Sequence, residues 1–196
     1  MNSQAIQIRK PRTDEQPLWD SIFGNIGYAA VLVAHDLKLF PLLAEQPRTL
    51  PEIAEALNIA RRPAEALLAT SVSLGLVQVQ GEGYTLTPLA EDYLLESSPA
   101  YFGGFLDLLS ANDPVFSVES LKKAVLTNSA QVYGDEALFA SHEAQVALAR
   151  AFTHGMHGHS AGAALAWPEA IDLSRHQTML DVGGGSGIHA ISAAIR

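Results

Sequence analysis

The stretch LDVGGGSGIHAISAAIR, residues 180–196, decides which fold this part of the chain can adopt. Residues 178–182, which overlap the start of this stretch, predict a short buried β-strand. The glycine-rich run at 183–187 follows, and glycine lets the backbone turn sharply and approach a ligand closely. A helix is predicted from Ile188, and the amides at its start would face a negative or polar group. The order strand, glycine turn, helix predicts the opening of a nucleotide-binding α/β unit.

Two ligand-binding patterns fit this turn, and a third interpretation needs no ligand. Gly185, Gly187 and Ala190 satisfy a loose dinucleotide fingerprint. The pattern typical of methyltransferases that use S-adenosylmethionine is also satisfied, by Asp181, Gly183, Gly185 and Gly187. The second pattern explains more residues, because a carboxylate at the strand end would repel a pyrophosphate but suits the cationic sulfonium and amino groups of S-adenosylmethionine. The third interpretation is a glycine-rich loop that binds no ligand, because motifs this short also occur by chance.

The segment AFTHGMHGHSAGAALA, residues 151–166, holds a second set of candidates. Phe152, Met156 and Ser160 are spaced by four residues, so they share one face of a predicted helix. They could line a cofactor-binding site, although such a stripe is also typical of a helix face buried in the hydrophobic core. Three histidines in the same segment suggest a metal ion, but His159 projects away from the side shared by His154 and His157. Ligands must converge on one point, so no metal site is predicted.

The composition is that of an acidic chain with a packed core. Of its 196 residues, 48% are hydrophobic and 17% are charged, which favours a folded chain over a disordered one. The net charge of −9 argues against nucleic-acid partners, and the absence of cysteine excludes disulfides and thiolate metal sites. No signal-peptide pattern is found, and the longest apolar run, residues 26–34, is too short to span a bilayer. We therefore expect a cytoplasmic protein with no membrane partner.

Residues 19–43 are strongly apolar. Ile22, Ile26, Val33 and Leu37 recur there at helical spacing. The apolar arc is too wide for a simple surface helix, so either the rest of the chain or another subunit must cover it.

The next segment carries the signals of a winged helix. Thr49 and Glu52 form a capping-box signature that starts a short helix. A second helix is predicted over 63–74, with Gly75 as its stop. Two short strands around a Gly-Glu-Gly turn, LVQVQGEGYTLT, come next, and Thr87 with the following proline starts another helix. Helix, turn, helix and β-wing predict a winged-helix arrangement.

Charge argues that this winged helix does not read DNA. Residues 49–95 contain two basic and six acidic side chains, a balance of −4. A DNA-binding module neutralises phosphates with basic residues, and an acidic one repels the backbone. A structural or dimerisation role is therefore favoured over nucleic-acid binding.

The chain between the winged helix and the glycine turn is predicted to be helical. Short helices are expected over 99–141, interrupted by turn signals near Asn112 and Gly134. A long helix follows over 142–166 and is expected to end at Trp167 and Pro168, because the residue before a proline avoids the helical region.

Two motifs in this sequence resemble those of the plant-type O-methyltransferases, the group of caffeic-acid and flavonoid methyltransferases and their bacterial relatives that act on polyketides. They are FTHGMHGHS, residues 152–160, and LDVGGGSG, residues 180–187. The family form of the first is F-x-x-x-M-x-x-H-S, and the second is nearly the family string. The winged helix and the apolar first helices resemble the family's dimerisation domain, so the resemblance covers essentially the whole chain.

The resemblance implies a role for each candidate residue. Phe152, Met156 and Ser160 would contact S-adenosylmethionine. The loop that binds this cofactor would be formed by Asp181, Gly183, Gly185 and Gly187. The N-terminal helices would join two subunits into a homodimer. A general base would take a proton from the acceptor hydroxyl, and the oxygen would then receive the methyl group in line. The expected fold is mainly α with a small β-wing. A flexible N-terminus (1–15) is followed by a winged-helix dimerisation domain (16–98). A helical linker with cofactor-facing helices (99–168) then leads to the truncated start of a Rossmann-like cofactor domain (169–196).

One departure from the family limits the assignment. The family's catalytic histidine and its partner carboxylates lie downstream of the glycine loop, so no residue of this chain is predicted to be catalytic. We therefore expect the N-terminal part of a longer enzyme, without methyl-transfer activity as the 196-residue chain. The acceptor would be a hydroxylated small molecule. Four aromatic side chains could line its pocket, although each is also suited to the core: Phe23, Phe102, Phe105 and Phe139. The alternatives are a non-catalytic dimerisation protein and an acidic winged-helix regulator.

Overall fold

The computed structural model describes residues 10–131 and 143–196. Its helices are α1 (Gln16–Asp36), α2 (Leu39–Glu45), α3 (Leu50–Ala56), α4 (Arg61–Ser73), α5 (Pro88–Leu94), α6 (Gly103–Ala111), α7 (Val118–Thr127), α8 (Glu143–Ala170) and α9 (Ile188–Ala194). A short 3-10 helix (Asp113–Phe116) precedes α7, and two strands, β1 (Val77–Gln80) and β2 (Gly83–Leu86), form an antiparallel hairpin. Three predicted features lie outside the described residues: the candidate pocket residue Phe139, the turn near Gly134 and the expected start of the long helix at His142.

The core lies where α1, α2, α4 and the hairpin meet. The two helices α1 and α2 are separated by Lys38, which adopts a left-handed conformation with φ 62°. The largest fully buried side chains come from α2, α3, α4 and β1; they are Phe40, Leu39, Leu43, Ile53, Leu68 and Val77. Burial of large aliphatic and aromatic groups provides most of the stabilisation, about 1.5–3 kcal/mol for each. The N-terminal helices therefore form one hydrophobic core with the hairpin.

The segment from α3 to β2 has the order of elements predicted from the sequence. Helix α4 begins at Arg61, two residues earlier than expected, and Gly75 follows its end with φ +71°. Glycine adopts this left-handed backbone without strain, which explains the stop. In the hairpin, Val77 pairs with Leu86, and both face the core. Arg48 extends the pairing by exchanging backbone hydrogen bonds with Tyr84.

Helix α3 begins with the predicted interaction between Thr49 and Glu52. The backbone N–H and the hydroxyl of Thr49 both donate to Glu52 Oε2, at 2.7 Å each. These two donors hold the pKa of Glu52 below the 4.5 that is usual for a glutamate, and the backbone N–H is the larger cause. Hydrogen bonds to an ionised carboxylate favour its charged form.

The cap should make the stability of the chain depend on pH. The folded-state pKa of Glu52 lies below its unfolded value, so its contribution is complete above about pH 4.5 and is lost as the pH falls through the folded-state pKa. We expect the urea midpoint of a Glu52→Gln variant to lie below that of the natural chain at about pH 7 and to converge with it at about pH 3. Glu55→Gln, on the same helix, is the control. An equal gap at both pH values would contradict the assignment.

Two predictions about the C-terminal region are wrong. Residues 178–182 form no strand, and Leu180 and Val182 are each 85% exposed. A strand exists only through pairing with a neighbour, and β1 and β2 are the one sheet in residues 10–131 and 143–196. The long helix does not end at Trp167 either, because α8 continues through Pro168 to Ala170. Proline removes one helical hydrogen bond, and its ring crowds the carbonyl four residues before it. Here Pro168 is buried and Trp167 is half-buried, so packing of this last turn outweighs that cost.

In the part of the chain that the structure describes, no single helix is long and apolar enough to cross a membrane. Helices α1 and α2 meet the criteria only as a pair bent by 61°.

Candidate cofactor site

The candidate residues on α8 are positioned by close packing of α8 against α6. A Cβ atom on Gly104 would lie 2.9 Å from the carbonyl oxygen of His154. One on Gly158 would lie 2.9 Å from the carbonyl oxygen of Tyr101. Distances this short exclude a side chain, so Gly104 lets the backbones of α6 and α8 touch, and Gly158 lets α8 approach the segment just before α6. The packing fixes where the face of α8 that carries the candidate stripe lies.

Phe152, Met156 and Ser160 lie on one stripe of α8, as their spacing predicts. All three are half-buried, whereas the core proper is formed by fully buried side chains elsewhere. A partly exposed aromatic ring, thioether and hydroxyl on one stripe can contact a ligand, which a core stripe cannot. Their role in binding stays a prediction.

The glycine turn has a backbone that only glycine adopts readily. Gly183, Gly185 and Gly187 have φ values of +74°, +55° and +75°, in the left-handed region where a Cβ causes strain. One hydrogen bond closes the turn, from the N–H of Gly187 to the carbonyl of Gly184 at 2.7 Å. Gly187 also precedes the first residue of α9 and accepts from the N–H of Ile191 at 2.8 Å. Turn and helix are therefore continuous, as the sequence predicts.

Asp181 places a carboxylate oxygen beneath this turn. Its Oδ2 is buried, and no donor among the described residues reaches it. A Cβ atom on Gly184 would lie 2.9 Å from Oδ2, so the missing side chain at 184 makes room for the carboxylate. A buried carboxylate oxygen without a donor is costly, about 1–3 kcal/mol or more. A ligand that brings a cation or an N–H group would relieve this cost, and the donor set therefore fits a positively charged cofactor.

One side-chain hydrogen bond joins the turn to α8. His157 Nδ1 lies 3.0 Å from Ser186 Oγ, across 29 residues of sequence. The α8 stripe and the turn thus belong to one assembly, which α9 completes by packing against α8. An ion pair between Arg196 and Glu169 links the ends of α9 and α8.

The other histidines have separate surroundings. His159 lies against Phe105, with ring centroids 4.8 Å apart and the rings tilted by 54°, and both His154 and His159 are exposed. His35 on α1 is 3% exposed and lies 2.7 Å from the Asp107 carboxylate on α6. No three His, Cys, Asp or Glu side chains in residues 10–131 and 143–196 are arranged to hold a metal ion.

Sequence reasoning missed the contacts that join distant segments. For His157 the sequence suggests only a metal ligand, and for His35 it predicts no role. The pairs His157–Ser186 and His35–Asp107 join residues 29 and 72 positions apart, and nothing in the local pattern points to them. The glycine spacing of GMHG, residues 155–158, was a usable signal for close helix packing.

One cavity lies beside the predicted cofactor residues rather than among them. It has a volume of about 1000 Å³ and opens between the end of α8, the segment after it and α9. Apolar side chains dominate its wall, including Ile171, Met179 and Leu180. None of the seven predicted cofactor residues lines it.

Comparisons with known proteins bear on the family rather than on individual site residues. Residues 19–96 match the O-methyltransferase dimerisation domain. The tetracenomycin polyketide synthesis 8-O-methyl transferase TcmO of Streptomyces glaucescens is 32% identical over 163 residues, which are 82% of this chain and 47% of that protein. The 3-hydroxy-5-methyl-1-naphthoate 3-O-methyltransferase of Streptomyces sahachiroi is 30% identical, over 76% of this chain and 43% of that protein. The chain spans about half the length of these relatives.

Solved structures of methyltransferases have the same fold. Human N-acetylserotonin methyltransferase in complex with S-adenosylmethionine superposes with a TM-score of 0.72 and 25% identity, over 95% of this chain and 58% of that one. CalO1, a methyltransferase of calicheamicin biosynthesis with S-adenosylhomocysteine bound, has a TM-score of 0.74 at 20% identity, over 95% and 57% of the two chains, and supports the fold alone. The family is dependent on S-adenosylmethionine, and its dimerisation domain supports homodimer formation. The resemblance predicted from the sequence is confirmed: the chain carries the O-methyltransferase dimerisation domain over residues 19–96 and is similar to bacterial O-methyltransferases over most of its length.

Proposed function

We propose that this chain is part of an O-methyltransferase that acts on a hydroxylated small molecule such as a phenol or a polyketide. The observation that carries the proposal is the buried Asp181 Oδ2, which has no donor among the described residues and lies under a glycine turn. The two relatives named above methylate oxygen, according to their names. The α3 to β2 segment serves as the winged-helix part of the dimerisation domain, and residues 169–196 serve as the start of a Rossmann-like unit.

Each candidate residue has a role in holding the cofactor. Bound S-adenosylmethionine supplies a methyl group made electrophilic by its sulfonium. Asp181 favours a cationic ligand through its carboxylate. The α8 stripe of Phe152, Met156 and Ser160 offers an apolar wall with one hydroxyl, which excludes water from the reacting groups. The turn of Gly183, Gly185 and Gly187 leaves its backbone open to close approach.

The base that takes the acceptor proton is not proposed among these residues. Among the histidines of α8, His157 is engaged by Ser186, and the ring of His159 lies against Phe105. We place the base in the part of the relatives' length that this chain does not match, and we expect the 196-residue chain to bind cofactor without transferring a methyl group. The acceptor is bound jointly with that part and with a second subunit.

Calorimetric titration of the chain with S-adenosylhomocysteine tests the proposal. We expect binding by the natural chain, and about tenfold weaker binding by Asp181→Asn, since a hydrogen bond to a charged group contributes roughly 1.5–3 kcal/mol. Asp172→Asn is a matched control, because Asp172 is exposed and its carboxylate interacts with the nearby Ser174, whose N–H donates to it.

Each result has a distinct meaning. Absence of binding by a folded, dimeric natural chain would contradict the cofactor assignment and indicate a non-catalytic dimerisation protein. Equal affinities for the natural chain and Asp181→Asn would remove Asp181 from the site.

A further inference from the structure

The hydrogen bond between His157 and Ser186 is the one feature of the site that neither motif accounts for. Its two atoms, Nδ1 and Oγ, are 3.0 Å apart and partly buried. We infer that His157 is a positioning residue: through Ser186 it holds the glycine turn in the conformation that receives the cofactor. The inference rests on the proposed function of the turn, but the bond can be tested without any cofactor.

The turn needs an external anchor because its own backbone is unusually free. Three of its five residues are glycines in the left-handed region, and glycine loses more conformational freedom on ordering than any other residue. One internal backbone hydrogen bond closes it. In residues 10–131 and 143–196, the bond from His157 is the one side-chain hydrogen bond that joins positions 183–187 to another element.

His157 is well placed to be this anchor because its own helix is held firmly. Gly155 and Gly158 flank it, and both are buried where α8 touches α6. Ala161 and Ala164, which lie one and two turns further along the same face, are fully buried. The imidazole therefore projects from a rigid backbone toward a flexible one.

The bond also fixes the relative position of the two halves of the site. His157 lies next to Met156 and within one turn of Ser160 on α8. Ser186 lies between Gly185 and Gly187 in the turn. A direct link between these segments sets the spacing of the α8 stripe from the turn, which is the spacing that a cofactor held by both would need.

The bond does not depend on one protonation state. A neutral imidazole Nδ1 either accepts from the Ser186 hydroxyl or donates to it, and a protonated ring donates. Asparagine carries a polar atom at nearly the same distance from the backbone as Nδ1, so His157→Asn should preserve the bond. His157→Ala and Ser186→Ala should each remove it.

Hydrogen exchange of the natural chain and its variants, without ligand, is the primary experiment. We expect the amides of residues 183–187 to exchange about fivefold faster in His157→Ala and in Ser186→Ala, the factor that corresponds to a hydrogen bond of about 1 kcal/mol. The double variant should exchange no faster than either single one, because both substitutions remove the same bond. His157→Asn should restore the natural rate, and His154→Ala, an exposed histidine on the same helix, should not change it.

Titration with S-adenosylhomocysteine then connects the bond to binding. We expect a roughly fivefold weaker affinity in His157→Ala and in Ser186→Ala, recovered in His157→Asn. Unchanged exchange in His157→Ala, additive effects in the double variant, or failure of asparagine to restore the rate would each overturn the inference. If exchange responds as expected but the natural chain binds no S-adenosylhomocysteine, the positioning role stands as a property of the turn, and the proposed cofactor function fails instead.

Discussion

A chain carrying Ile22→Glu and Ile26→Glu is expected to be a monomer at concentrations where the natural chain is a dimer. The two side chains lie four residues apart on α1 and are 50% and 53% exposed in the single chain. Completing their burial contributes about 1 kcal/mol for each, and a symmetric dimer buries four such side chains. The loss of about 4 kcal/mol corresponds to a dissociation constant roughly a thousandfold higher. Analytical ultracentrifugation over a range of concentrations measures it.

The physical reason is the apolar face of α1, which the single chain leaves uncovered. Large side chains along the helix are exposed; they include Leu18, Trp19, Ile22, Phe23, Ile26 and Val33. A shallow apolar groove of about 350 Å³ between α1 and α4 continues this face. Contiguous apolar surface of this kind is typical of an interaction site rather than of a monomer. The same helix lies in the segment that matches the dimerisation domain.

A control variant separates loss of the interface from a general effect of added charge. Val79 on β1 is 60% exposed and lies away from α1, so Val79→Glu should leave the dimer intact. If the α1 double variant remains a dimer with an unchanged dissociation constant, α1 is not at the subunit interface. Circular dichroism must show that both variants keep the natural helix content.

The fold of the N-terminal part could be predicted because its signals are local. A capping box begins α3, a left-handed glycine ends α4, and a Gly-Glu-Gly turn joins β1 to β2. Each signal acts within a few residues, so the surrounding fold has little influence on it. The sequence also predicts the wide apolar face of α1, because apolar residues that recur every three to four positions lie on one side of a helix whatever packs against it.

The C-terminal part could not be predicted to the same extent because its structure depends on pairing and packing. The apolar run at 178–182 has strand character, but it pairs with no strand in the described residues, and Leu180 and Val182 remain exposed. The end of α8 was misplaced for the opposite reason: packing around Pro168 outweighs the local preference of the residue before it.

The candidate site divides in the same way. The spacing of the α8 stripe and the glycine pattern of the turn are properties of short segments, and the structure gives both the expected local form. Their connection through His157 and Ser186 is a tertiary contact between residues 29 positions apart. The orphan oxygen of Asp181 also depends on the folded turn, because its burial follows from the missing side chain at Gly184.

Two alanine substitutions on the same helix are expected to shift stability in opposite directions. Alanine stabilises a helix relative to glycine by about 1 kcal/mol, and Gly162→Ala should gain this amount, because its new Cβ would lie 3.7 Å from the Tyr93 ring. Gly158→Ala would place a Cβ 2.9 Å from the Tyr101 carbonyl oxygen. That atom belongs to the backbone and cannot rotate away, so α8 must move away from the segment that leads into α6, at a cost of about 1–3 kcal/mol.

We therefore expect Gly158→Ala to lower the melting temperature and Gly162→Ala to raise it, at about 2–4 °C for each kcal/mol. The net loss at Gly158 is up to about 2 kcal/mol, since about 1 kcal/mol of the packing cost is offset by helix propensity. Differential scanning calorimetry of the natural chain and both variants measures the two shifts. A rise in both variants would mean that α8 does not touch the segment that leads into α6 at Gly158, and the position assigned to the α8 stripe would then be wrong. A fall at Gly158 alone supports the helix contact on which the candidate site is built.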